Sequence, residues 1–139
     1  MTRVVPDTNV LVSSLLSPLG NAAAIIRLFR ENKLDFVLSD KILAEVERVL
    51  RYPKIKKRTG WSAKENKEFC VKLAKFCIIT EDTEEKGIIS EDPADDKFLF
   101  CAVKGNADYI ITGDVHLLKL QHFKGVDIVT PKEFLEKMI

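Results

Sequence analysis

Short runs rich in Val and Ile alternate with helix-forming segments along the whole chain, and this alternation most constrains the fold. It predicts a parallel sheet covered by helices on both faces, a three-layer α/β/α arrangement. Five strands are expected, at Arg3–Pro6, Asp35–Leu38, Cys77–Thr80, Asp108–Thr112 and Asp127–Val129. Their near-continuous apolar character suits strands buried on both faces. Between them, Asn21 can cap a helix over Ala22–Glu31, and Ser39 or Asp40 can cap Lys41–Arg51, which Tyr52-Pro53 stops. Ser62 with Glu65 and Thr130 with Glu133 form capping boxes, the second with Pro131 at the first helical position. A further helix runs from about Asp95 to Lys104 and stops at Gly105-Asn106.

At 139 residues the chain fits one domain spanning 1–139, able to bury roughly 68% of the surface its unfolded form exposes. It is 46% hydrophobic and 31% charged, which excludes disordered, collagen-like and membrane-spanning classes. The start of the chain lacks the pattern of a signal peptide, so a cytoplasmic location is expected. Cys70, Cys77 and Cys101 are odd in number, sit in apolar contexts and show no zinc-type spacing, as expected of buried free thiols in a reducing compartment. The net charge of +1 hides an uneven distribution. Six of the eleven residues Arg48–Arg58 are basic (Arg48, Arg51, Lys54, Lys56, Lys57, Arg58), whereas eight of the sixteen residues Glu81–Asp96 are acidic. An isolated charge run is ordinarily a solvated face.

Carboxylates recur where strands end. Asp7 follows the first strand and Asp114 follows the fourth. In an open α/β sheet the carboxyl edge is where ligands bind, at the point where neighbouring strands send their helices to opposite faces. If strands one and four are neighbours, Asp7 and Asp114 meet there. Each alone is equally well explained as a helix cap or turn former. Asp95-Asp96 opens an almost wholly apolar helix and would aim its first turn at the sheet edge, although a double Asp there also gains from the helix dipole. Glu45 and Glu47 both flank the apolar face of Ile42, Leu43, Val46, Val49 and Leu50, each about 40° outside its border, so the helical wheel leaves both open.

Three or four carboxylates converging in one concavity repel one another unless cations neutralise them. Hard oxygen ligands favour Mg²⁺ or Mn²⁺, as one or two ions, and such a site suits phosphodiester hydrolysis. No Cys, His or Ser nucleophile arrangement competes, and His116 and His122 read as surface or packing residues.

Four segments, Val4-Val-Pro-Asp-Thr-Asn-Val10, Leu43-Ala-Glu-Val46, Glu91-Asp-Pro-Ala-Asp-Asp-Lys-Phe-Leu99 and Ala107-Asp-Tyr-Ile-Ile-Thr-Gly-Asp114, in this order and at these intervals, resemble the PIN-domain family. That nuclease family includes the toxins of prokaryotic toxin–antitoxin pairs, the VapC-like ribonucleases. The resemblance covers nearly the whole chain. It implies a five-stranded parallel sheet of order 3-2-1-4-5, and metal-dependent cleavage of RNA, usually as an endonuclease. Carried over, the family's acidic positions fall on Asp7, on Glu45 rather than Glu47, on Asp96 and on Asp114. The eighteen-residue step from Asp96 to Asp114 selects Asp96 over Asp95. Asn9 and Thr112 match supporting polar positions, and Asp92 is a weaker acidic candidate. The basic stretch Arg48–Arg58 would hold the RNA backbone. Partners implied are an RNA substrate, a cognate antitoxin protein and, through apolar helix faces, a second copy of the chain; no membrane is implied.

Two other α/β classes place an Asp after the first strand. A haloacid-dehalogenase phosphatase needs a second Asp two residues on, where this chain has Asn9, and a response-regulator receiver needs an acceptor Asp that Thr80-Glu81-Asp82 imitates poorly. The remaining alternative is a PIN fold serving as a non-catalytic RNA-binding or protein-interaction module.

Overall fold

The computed structural model describes residues 1–82 and 92–138. The middle of the acidic segment, 83–91, and Ile139 lie outside the described residues. The chain runs β1 (Arg3–Pro6), α1 (Thr8–Leu16), α2 (Asn21–Arg30), β2 (Asp35–Ser39), α3 (Asp40–Leu50), α4 (Pro53–Thr59), α5 (Ala63–Phe76), β3 (Ile78–Thr80), α6 (Asp96–Lys104), β4 (Tyr109–Ile111), α7 (Val115–Leu118), β5 (His122–Phe123), β6 (Val126–Val129) and α8 (Pro131–Met138). A single 3₁₀ turn, Pro93–Asp95, leads into α6.

The sheet order is β3-β2-β1-β4-β6-β5, with every pair parallel except β5 with β6. All five expected strands are present within a residue or two, in the expected order. The correction is β5, a two-residue antiparallel edge strand that makes the sheet mixed and six-stranded. It arises because Lys124 (φ 45°) and Gly125 (φ 84°) both adopt left-handed backbone, the conformation of a tight two-residue hairpin turn.

The central strands form the middle of the core. Val4, Val5, Phe36, Val37, Leu38, Ile110 and Ile111 are all at most 1% exposed, as expected of strands covered on both faces. Helices pack on these strands through apolar stripes: α6 lies against β1, β2 and β4, and α3 against β2, α1 and α5. At the end of α6, Gly105 lets the helix approach β2 so closely that a Cβ there would stand 2.3 Å from Val37 Cγ1.

The helix signals hold with three corrections. Ser39 caps α3, and both capping boxes form with reciprocal hydrogen bonds. Asn21, however, is the first residue of α2 rather than its cap, a place taken by Gly20 without a side-chain hydrogen bond. Tyr52-Pro53 does end α3, yet Pro53 also sits in the first turn of a new helix, α4, where its missing N–H costs nothing. The short helix α7 was not signalled by periodicity, being only four residues long. The three cysteines are free, Cys70 and Cys101 buried as expected and Cys77 only half-buried at the end of α5, and burial pushes their thiols up to about 11, 12 and 11 for Cys70, Cys77 and Cys101. At neutral pH they are protonated and unreactive.

Candidate active site

The switch point of the sheet lies at β1, whose neighbours are β2 on one side and β4 on the other. In the β1–β4 register Pro6 stands opposite Ile111, so the next residues, Asp7 and Thr112, come side by side as both strands end. Asp7 is buried. Its Oδ1 accepts from the N–H of Val10 at 2.8 Å, capping α1. Its Oδ2 accepts from the Thr112 hydroxyl at 2.5 Å. That hydroxyl in turn accepts from the N–H of Asp114 at 2.9 Å, which ties the two strand ends together. Asp114 caps α7 through Oδ1, which accepts from the His116 N–H at 2.7 Å. Both carboxylates therefore serve as helix caps with one oxygen, and capping does not exclude a further role for the other.

Glu45 joins from α3. Its Oε1 accepts from the hydroxyl of Thr8, the residue after Asp7, at 2.5 Å. Its Oε2 lies 2.6 Å from Lys97 Nζ and 3.5 Å from Arg48 Nη2. Glu47, which the helical wheel could not separate from it, pairs with Arg51 at 3.0 Å and puts its charge beside Cys70 of α5 instead. The two glutamates therefore differ in placement: Glu45 faces α1 and α6, and Glu47 faces α5.

The electrostatics mark the same place. Burial holds the Asp7 carboxyl above the usual carboxylate range; the Thr112 and Val10 hydrogen bonds pull it back, while the charges on Asp114 and Glu45 push it up. Asp95 is pushed up to about 6, first by burial, then by the charges of Asp114 and Asp92 and a hydrogen bond with the Asp114 carboxyl, against the opposing charge of Lys97. Two carboxylates this close repel one another unless a proton or another cation neutralises one of them. Asp95 Oδ2 is buried and has no donor among the described residues.

Asp95, which the eighteen-residue spacing does not select, also lies beside these carboxylates. It belongs to the 3₁₀ turn, and its carboxyl lies within reach of the charge of Asp114. Asp96, one residue on, is also buried and opens α6. The signal in the sequence was the Asp95-Asp96 doublet, and a residue count along the chain cannot register a change of helical pitch between its members. Asp92 is exposed and caps the 3₁₀ turn through a 3.0 Å bond from the Ala94 N–H. Asn9 is exposed on α1.

The chemistry of the donor set fits a hard divalent cation. All its members are carboxylates, one of their oxygens is buried without a donor among the described residues, and two carboxyls lie close enough to need a proton or another cation between them. Among the described residues no three such side chains already stand at ligand spacing. One positive charge in the pocket is the ammonium of Lys97. The basic residues lie alongside. Lys54, Lys56, Lys57 and Arg58 are exposed on α4, which packs against α1 and α3, and Arg58 is anchored by a 3.2 Å hydrogen bond to the carbonyl of Leu16 at the end of α1.

Residues 3–116, which include every one of these carboxylates, match the profile of the PIN domain. The chain belongs to the PIN-domain family. It is 32% identical over 146 aligned positions to MJ1680 of Methanocaldococcus jannaschii, a protein described as uncharacterized, covering 97% of this chain and 90% of that one. Three solved structures share the fold. VapBC2 of Rickettsia felis, bound to a DNA fragment from its promoter, superposes with a TM-score of 0.59 at 15% identity, over 91% of this chain and 97% of that one. PAE2754 of Pyrobaculum aerophilum gives 0.56 at 14%, over 99% and 89%. The PIN domain of human SMG5 gives 0.53 at 14%, over 99% of each. PIN domains are generally nucleases, and PIN nucleases generally use divalent metals.

Proposed function

We propose that this PIN-domain protein is a metal-dependent ribonuclease, an endonuclease that hydrolyses RNA phosphodiester bonds with Mg²⁺ or Mn²⁺, and that it acts as the toxin of a toxin–antitoxin pair. The observation that carries the metal site is the buried, donorless Oδ2 of Asp95 beside Asp114, in a pocket where Asp7 is already held above its ordinary pKa by burial. Asp7, Asp96 and Asp114, joined by Asp95 and with Glu45 at the rim, form the acidic set. When bound, a divalent ion supplies a lowered pKa for an attacking water and screens charge developing on the phosphate.

The chain's own residues supply the rest. Thr112 fixes the direction of Asp7 and the backbone of Asp114 through one hydroxyl, so two carboxylates from different strands keep a set separation. Thr8 does the same for Glu45. Arg48 lies between the acidic pocket and the basic helix, and Lys54, Lys56, Lys57 and Arg58, with Arg51, offer cations to the backbone phosphates on either side of the scissile one. The likeness to VapBC2 supports an antitoxin as protein partner.

The test is cleavage of structured RNA in Mn²⁺ by the wild-type chain and by Asp7→Asn and Asp96→Asn, with folding checked by circular dichroism. Loss of cleavage in both supports the reading. Cleavage unaffected by both overturns the catalytic assignment, and metal-independent RNA retention without cleavage identifies a binding module instead.

A further inference from the structure

We propose that Lys97 is a built-in counter-cation of the acidic pocket: its ammonium holds Glu45 and so confines divalent-metal binding to one ion, carried by the Asp7, Asp95, Asp96 and Asp114 side. The inference rests on the metal-site reading above and narrows it.

Lys97 is not a surface partner that happens to reach a carboxylate. Its side chain is 14% exposed and that of Glu45 is 18% exposed. The ammonium has a three-sided seat. It lies 2.6 Å from Glu45 Oε2, donates to the carbonyl of Ala94, and stands 4.9 Å from the centroid of the Phe98 ring. Ala94 belongs to the 3₁₀ turn that carries Asp95, and Glu45 belongs to α3. One ammonium thus joins the turn bearing one acidic residue to the helix bearing another. Its charge also reaches Asp95, where it opposes the burial and the neighbouring carboxylates.

The two ends of the pocket differ as a result. Glu45 has a hydroxyl on one oxygen and an ammonium on the other, with Arg48 at 3.5 Å. Lone pairs remain on it, but its negative charge is matched, and a divalent ion placed there would face a positive charge at contact distance. On the other side, Asp95 Oδ2 has no donor among the described residues. A cation arriving from solvent therefore gains most at Asp95 and Asp114 and least at Glu45. A lysine held in this way does the neutralising that a second ion would otherwise do, and leaves Glu45 as the positioning residue for the Lys97 ammonium.

The experiment is a Mn²⁺ titration followed by the paramagnetic resonance of free Mn²⁺, without RNA, on folded wild type, Lys97→Met, Lys97→Arg, Glu45→Gln and the double variant Lys97→Met with Glu45→Gln. Wild type should bind one ion, and Glu45→Gln should bind no more than one and more weakly, because the Lys97 charge is left unmatched beside Asp95. Lys97→Met should gain a second ion or bind about tenfold more tightly, because a carboxylate loses its matching charge. Lys97→Arg should behave as wild type, and the double variant, in which neither charge is left unmatched, should return to one ion at near wild-type affinity. Two ions on wild type, or loss of binding in the double variant, overturns the proposal, as does an unchanged titration in Lys97→Met. If Lys97→Met does not fold alone, the double variant decides. Absence of Mn²⁺ from wild type overturns the metal-site reading, and Mn²⁺ appearing only on Lys97→Met then still supports the counter-cation role; absence from both overturns both.

Discussion

The hydroxyl of Thr112, at the end of β4, donates to Oδ2 of Asp7, at the end of β1, across the parallel pair at 2.5 Å. Because the same oxygen accepts from the N–H of Asp114, its loss would release two acidic residues at once. Thr112→Val keeps the shape and removes the donor. Stability should fall by about 1.5–3 kcal/mol, the range for hydrogen bonds to charged groups, and the pH below which Mn²⁺ fails to bind should move upward, since Asp7 loses what offsets its burial. Thr112→Ser should retain both properties. Urea denaturation and Mn²⁺ titrations across pH measure them, and a Val variant as stable and as metal-competent as wild type contradicts the role.

The metal-free protein should lose stability as pH rises through the weakly acidic range. Asp95 has an ordinary value of 3.8 and is raised to about 6 in the folded chain. Between these values the folded state binds the proton more tightly than the unfolded state, so the stabilisation is full below the lower value and lost by the upper one. Asp7 is shifted in the same direction. Thermal melts in chelator across this window should show the decline, Asp95→Asn should flatten it, and Mn²⁺ should restore stability above it by binding the ionised carboxylates. A melting temperature that rises with pH in chelator would count against the arrangement.

Gly105→Ala tests the packing that brings α6 to the sheet. The added methyl would meet Val37 Cγ1 at 2.3 Å and Thr80 Cγ2 at 3.2 Å, both in buried or half-buried strands. Overpacking of this kind costs about 1–3 kcal/mol, outweighing any gain in helix propensity at the helix end. A denaturation midpoint equal to that of wild type would show that the two elements separate freely, which the 3.0 Å bond from Arg3 Nη1 to the Gly105 carbonyl argues against.

The sheet was legible because buried parallel strands are written as unbroken apolar runs, and Val4, Val5, Ile110 and Ile111 obey that rule fully. The pairing of Asp7 with Asp114 followed from strand ends alone once β1 and β4 were neighbours. What was not legible depended on local backbone geometry. The Lys124-Gly125 turn makes β5 from two residues too few to show a period. Pro53 reads equally as the end of α3 and the beginning of α4. The separate settings of Asp95 and Asp96 depend on a 3₁₀ turn that a residue count treats as ordinary helix. The Lys97–Glu45 pair is a contact between residues fifty-two positions apart, and neither carries a local pattern that announces it.

The exposed lysines of α4 should set the salt dependence of RNA binding. Lys54, Lys56 and Lys57 have no ion pair among the described residues, whereas Arg51 is engaged with Glu47 and Arg48 with Glu45. Free cations on a surface beside the acidic pocket can release counterions from RNA without first breaking an internal pair. Each phosphate contact contributes about 0.7 to the slope of log affinity against log salt for a single strand, so replacing all three by Gln should make the slope shallower by roughly 2 if each contacts a phosphate. Binding of the Asp7→Asn chain, which the proposed function expects to be catalytically silent, to a fluorescent RNA, measured between low and physiological salt, isolates this effect from cleavage. The triple variant should remain folded, because all three side chains are exposed. An unchanged slope would remove α4 from the RNA path and leave Arg48 and Arg51 as the cations nearest the cut.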